Sequence, residues 1–126
     1  MDMKLELVPI PVTDVERAKA FYVENVGFDL DHDVQPSDTM RVVQLTPPGS
    51  ACSIVIGTGI PEVSGMEPGS VKALHLVVAD ITQARETLSS RGVAMGEVID
   101  LGGIKYAHFN DPDGNSWLLQ EIPARF

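Results

Sequence analysis

His108-Phe109-Asn110-Asp111-Pro112-Asp113-Gly114-Asn115-Ser116-Trp117-Leu118-Leu119-Gln120-Glu121 is the stretch from which the rest of the chain can be read. It spells strand, tight turn, strand. Pro112 pre-sets φ for the second position of a turn, the flanking aspartates can bond the local backbone, and Gly114 takes the position that needs positive φ. The run from Trp117 to Ile122 has the length and apolar content of a strand. A hairpin this well specified pins its register, so the faces of its arms can be assigned. Ala107 and Phe109 share one face and Tyr106 and His108 the other; Trp117 and Leu119 share one face and Leu118 and Gln120 the other.

Working back from the hairpin, the chain shows the same plan twice. Leu5 to Val12 is extended, with prolines at 9 and 11 that forbid ladder donation and place this strand at an edge. Thr13-Asp14-Val15-Glu16 reads as a capping box with the Thr13 hydroxyl at the N-cap. Val15, Ala18, Phe21 and Tyr22 recur at helical spacing, and the helix should stop near Gly27. Asp29–Val34, Met40–Leu45 and Cys52–Ile56 are strand candidates. A Gly- and Pro-bearing stretch, 58–71, reads as a linker between a first module, 1–57, and a second, 72–126. Ala73–Val78 then reads as a strand, and Asp80 with Gln83 caps a helix that ends at Gly92. Asp14 and Asp80 lie 66 residues apart, Gly49 and Gly114 65 apart. One deletion in the Thr46-Pro47 turn would reconcile the two offsets and set Cys52-Ser53 over Trp117-Leu118. Each half is strand, helix, then three strands, an internal duplication within one domain. The expected class is α+β: two βαβββ modules forming a curved sheet around a concave cup, helices on the outer face.

Bulk properties narrow the function. The formal charge of −9 offers no basic patch for phosphates, which argues against nucleic acid. No apolar run reaches the ~20 residues of a membrane span, and the start lacks the pattern of a secretory signal. A single cysteine suits a reducing cytoplasm.

The strand-to-helix junction His75-x-x-x-x-Asp80, combined with Phe109-x-Asp111-Pro112-Asp113-Gly114-Asn115, resembles the vicinal oxygen chelate superfamily, which holds glyoxalase I, extradiol dioxygenases, and fosfomycin- and bleomycin-resistance proteins. The resemblance covers nearly the whole chain. It implies paired βαβββ modules, a homodimer, and a cup-shaped small-molecule site. In metal-using members each half supplies one ligand from its first strand and one from its last. Carried over, those positions are Pro9 and Ser53 in the first half, His75 and Leu118 in the second. Only His75 is a good donor, whereas a divalent metal wants three or four. Glu121, three residues past Leu118, would face away from the cup unless a bulge re-aimed it.

With His75 placed in the cup by the resemblance and the hairpin residues by strand parity, the expected cup-facing set is His75, Tyr106 and His108 as acid–base residues, with Gln44, Ser53, Gln120, Leu118, Val77 and Val55 as ligand-contacting residues. Two imidazoles and a phenol on one surface could move protons on a small organic substrate near neutral pH. The same surface could bind and sequester a molecule without chemistry. Metal independence is expected; the alternative is a metal-dependent lyase or dioxygenase of glyoxalase type, with a divalent metal held through His75 and Glu121. Asp111 and Asp113 are assigned to turn geometry, Trp117, Phe21 and Tyr22 to packing, and Arg41 and Lys105 to solvated strand ends.

Overall fold

The structure, a computed structural model, describes residues 1–123. The last three residues of the second module as delimited above, 124–126, lie outside the described residues. The elements follow in the order β1 (Leu7–Pro9), α1 (Val15–Ala20), β2 (Asp29–Ser37), β3 (Met40–Thr46), β4 (Ser53–Thr58), β5 (Leu74–Val77), α2 (Ile81–Ser90), β6 (Ile99–Leu101), β7 (Ile104–Asn110) and β8 (Ser116–Glu121). A π-helical segment, Phe21–Val26, carries α1 onward. The fold is α+β, two tandem βαβββ modules. Their strands form two four-stranded sheets of matching order, β1-β4-β3-β2 and β5-β8-β7-β6. In each, the first strand lies at an edge, parallel to the last. Pro9 sits in such an edge strand, where its missing N–H costs least.

Both helices start on an aspartate. Asp14 Oδ1 accepts from the Arg17 N–H and Asp80 Oδ1 from the Gln83 N–H, each at 3.1 Å. The expectation that Thr13 caps the first helix is corrected. An ionised oxygen at the positive end of the helix is the stronger acceptor, and the Thr13 hydroxyl instead donates to Asp113 Oδ1 at 2.7 Å. The first helix ends at Gly27, whose φ of 96° puts it in the left-handed region as a C-cap.

Alternation along the strands places Val43, Leu45, Ile54, Ile56, Ala107, Phe109, Trp117 and Leu119 on the helix-bearing faces of their sheets, all of them buried. These faces feed one core. Phe28 and Tyr22 pack their rings on Trp117 at centroid separations of 5.6 and 5.8 Å, and Phe109 stacks under Trp117 at 6.1 Å. The first helix thus lies on the helix-bearing face of the second sheet as well as against β4 of its own. Each such aromatic contributes roughly 1.5–3 kcal/mol by burial. Tyr22 does more than pack. Its hydroxyl donates to Asp111 Oδ2 at 2.8 Å and accepts from Trp117 Nε1 at 3.0 Å, all three groups being buried. Burial and the neighbouring Asp111 carboxylate push the Tyr22 phenol well above its ordinary range.

Strand pairing also corrects the internal alignment. Six residues, 47–52, link β3 to β4, and five, 111–115, link β7 to β8. The first turn is therefore one residue longer, the reverse of the expected deletion. Pro9 pairs with Val55 and His75 with Leu118. Val55, two residues beyond Ser53, is the true counterpart of Leu118. No described helix is long and apolar enough to cross a membrane.

Candidate ligand-binding face

The second sheet gathers most of the predicted site. On β5 and β8, His75 pairs with Leu118 and Val77 with Gln120. On β7 and β8, His108 pairs with Leu118 and Tyr106 with Gln120. Six predicted residues therefore form two adjacent rows, His75-Leu118-His108 and Val77-Gln120-Tyr106, on the face opposite α2. The His75 and Tyr106 rings meet edge to face at 5.9 Å, and Gln120 Nε2 donates to the Tyr106 hydroxyl at 3.4 Å. His75 Nδ1 lies 2.7 Å from the Ala73 carbonyl. When that nitrogen carries the proton, Nε2 is left as an acceptor. Ala73 itself has a φ of 60°, a left-handed conformation uncommon for a residue with a Cβ. Its N–H is held by Ser116 Oγ at 2.7 Å, which helps to hold the chain as it enters β5. His75, His108 and Val77 are exposed; Tyr106, Leu118 and Gln120 are half-buried.

Gln44, Ser53 and Val55 stand on the other sheet. Gln44 Nε2 donates to Glu6 Oε2 at 3.2 Å. Ser53 is buried and shares a 2.6 Å hydrogen bond with Thr46 Oγ1, while Thr46 also donates to Asp31. Val55 is buried too. Among the described residues no hydrogen bond or ring contact joins this trio to the His75 face. Thr46 and Asp31 were not singled out from sequence, although Thr46 shares parity with Gln44 along β3, and that was the available signal.

The four metal-bearing positions implied by the resemblance become Pro9, Val55, His75 and Leu118 once the register is known. They supply one imidazole and three side chains without a donor. Glu121 does not make up the deficit. The β7–β8 ladder runs without a register shift, so Glu121 keeps the parity of Trp117 and Leu119 on the helix side. There its Oε1 accepts from the Ile81 N–H at 2.9 Å, and Lys105 Nζ lies 3.8 Å from Oε2. Among the described residues no group of three or more His, Cys, Asp or Glu is placed to hold a metal ion. These donors do not fit a divalent metal centre.

The expectation of solvated strand ends fails at Arg41. Its guanidinium grips Asp33 at 3.0 Å from Nε and 2.9 Å from Nη2, and it also pairs with Glu16. Lys19 Nζ reaches the same Asp33 at 2.7 Å. Hydrogen bonds from Arg41 and Lys19 hold the Asp33 carboxyl well below the usual carboxylate range. The cluster fastens α1 to β2 and β3.

Comparison with known proteins agrees with this architecture. The Bacillus subtilis (strain 168) protein YetH is 31% identical over 127 residues, spanning 96% of this chain and 100% of that one. TnmS3, an antibiotic-binding protein from Streptomyces sp. CB03234, superposes with a TM-score of 0.83 at 37% identity, covering 96% of this chain and 97% of its own. A glyoxalase/bleomycin resistance protein/dioxygenase superfamily member from Sphaerobacter thermophilus DSM 20745 superposes with a TM-score of 0.81 at 32% identity, covering 95% of this chain and 98% of its own. The family model matches residues 4–119, and the chain belongs to the Glyoxalase/Bleomycin resistance protein/Dioxygenase superfamily.

Proposed function

We propose that this protein binds and sequesters a small organic molecule, without a resident metal, on the face built from His75, Tyr106, His108, Leu118 and Gln120. The observation that carries this reading is that face itself. It is an uncovered sheet surface on which two imidazoles, a phenol and an amide ring one apolar side chain, Leu118, in the register of β5, β7 and β8. An apolar platform with a few convergent polar groups is the usual make-up of a small-molecule site. The likeness to TnmS3 supports a ligand of the antibiotic type. The two open faces belong to different sheets and turn away from the shared core. A second copy of the chain would therefore be needed to roof the site, and a homodimer is part of the proposal. So is a cytoplasmic place, where Cys52 stays reduced.

The second reading, proton transfer on the bound molecule, is favoured by one observation: the 5.9 Å contact between the His75 and Tyr106 rings. One experiment separates the two. The purified protein is titrated with a panel of antibiotics that includes bleomycin, following the unfolding midpoint, and the bound molecule is then recovered for mass spectrometry. Stabilisation with the molecule returned intact supports sequestration; a changed mass supports catalysis. Failure of every compound to stabilise the protein, or one equivalent of zinc, iron or manganese surviving purification, refutes the proposal.

A further inference from the structure

An open cleft of about 490 Å³ lies on the helix-bearing side of the second sheet at its β5 edge, where Val77 of the face described above also lines it. Its floor is apolar, formed by Phe28, Leu76, Val78, Ala84, Leu88 and Leu119. Gln83, Thr87 and Arg91 line it from α2 and its C-cap, spaced four residues apart and so on one helix stripe. The Pro47-Pro48 turn of the first module forms the far wall.

The internal duplication explains why this space is open. The equivalent location in the other half, between α1 and the turn after β7, is filled and sealed. There Tyr22 reaches Asp111, Thr13 reaches Asp113 through both its hydroxyl and its N–H, and Arg17 stands 3.5 Å from Asp113. With Asp14 and Asp80 matched as N-caps, Tyr22 corresponds to Leu88, Phe21 to Thr87, Thr13 to Ala79 and Arg17 to Gln83. The strand register makes Ile54 the counterpart of Trp117, and proline stands at 47 where Asp111 stands in the second turn. In each of these pairs the side chain that fills or bolts the first location faces a counterpart that is smaller or lacks the matching polar group. A cavity on this scale has the size of a small-molecule site.

We infer that this cavity is a second small-molecule site, taking a flat apolar anion such as a fused-ring carboxylate or sulfonate. The apolar floor receives the rings. Arg91 supplies the charge: among the described residues its guanidinium makes one hydrogen bond, from Nη1 to the Val26 carbonyl at 3.3 Å, so it has N–H groups left to donate to a ligand. Among the described residues the Gln83 amide and the Thr87 hydroxyl have no side-chain hydrogen bond, so both are available beside it. Asp80, the acidic residue at the rim, is occupied as a helix cap and lies about 16 Å from Arg91 at 1.5 Å of rise per residue.

The test titrates the full-length protein with 8-anilinonaphthalene-1-sulfonate, following its fluorescence, alongside three variants. Thr87→Phe restores the bulk found at Phe21 and should weaken binding about tenfold or more, and Arg91→Gln about three- to tenfold, where tenfold corresponds to about 1.4 kcal/mol. Leu118→Trp crowds the opposite, proposed ligand face; it should leave the part of the signal that Thr87→Phe and Arg91→Gln weaken, whatever dye it displaces from its own face. Thr87 and Arg91 are exposed, so both variants should keep the wild-type unfolding midpoint. The inference is overturned if the wild-type chain shows no saturable binding, if Thr87→Phe and Arg91→Gln both titrate like wild type, or if Leu118→Trp abolishes the signal. That last outcome would move the ligand to the His75 face and leave the proposed function standing.

Discussion

Replacing Tyr22 with Phe probes how the first helix is bolted to the second module. The ring contacts survive, so the change isolates the hydroxyl. Asp111 keeps three N–H partners, from Asp113 N at 2.9 Å, Asn115 N at 2.9 Å and Asn115 Nδ2 at 2.8 Å. Its own loss is therefore modest, about 1 kcal/mol, whereas the buried Trp117 indole N–H is orphaned at about 1–2 kcal/mol. The expected destabilisation is about 2.5 kcal/mol, or roughly 8 °C in unfolding midpoint at about 3 °C per kcal/mol for a chain of this size. Urea unfolding followed by the fluorescence of the single tryptophan, Trp117, measures it directly. Alkali supplies an internal control. The folded phenol titrates above the unfolded value of 10.0, so its contribution is complete below that pH and is lost as pH rises above it. The advantage of wild type over Tyr22→Phe should shrink by about 1.4 kcal/mol per pH unit and vanish near pH 12, about two units above the unfolded pKa. A difference below about 0.5 kcal/mol at pH 7, within the range of an ordinary surface substitution, would refute the reasoning. So would an advantage that stays constant from pH 9 to 11.5.

Other perturbations test separate parts of the structure. Asp33→Asn should flatten the acid limb of the stability profile. The folded carboxyl titrates below its ordinary value of 3.8, so the Arg41 and Lys19 pairs contribute fully above that pH and fail as pH falls beneath it; identical acid limbs in guanidinium titrations would contradict this. Gly114 has φ of 93° and open space where a Cβ would stand, so Gly114→Ala should cost only backbone strain, about 1 kcal/mol, measured by thermal unfolding. His75→Ala combined with His108→Ala should lower affinity for any antibiotic found to bind by at least about tenfold (1.4 kcal/mol) with the unfolding midpoint kept, and unchanged calorimetric affinity would remove both histidines from the site. Light scattering should give twice the chain mass; a monomer that still binds ligand would mean that no second copy roofs the face.

Much of the fold was legible because its signals are local and repeated. Proline, aspartate and glycine in 111–114 specify a turn through φ and short-range hydrogen bonds, and period-two alternation then sets Tyr106, His108, Leu118 and Gln120 on one face. His75 was placed beside them through the family resemblance, and the parallel pairing of β5 with β8 sets it and Val77 on that face. The shift from Ser53 to Val55 was not legible, since the difference between turns of six and five residues shows only in which strands pair. Thr13 misled because hydroxyl and carboxylate caps share one sequence signature, and only the surrounding chain decides which is used.

The sequence by itself determined the α+β duplication, the edge position of the proline-bearing strand and the scarcity of metal donors, because backbone periodicity, steric limits and side-chain chemistry travel with the residue. Tertiary structure alone decided that Tyr22 bolts one module to the other, that Glu121 serves as a helix-end acceptor, and that one half carries a sealed aromatic contact where the other carries a cavity. These depend on residues from 40 to 95 positions apart meeting in space, and no local pattern encodes that meeting.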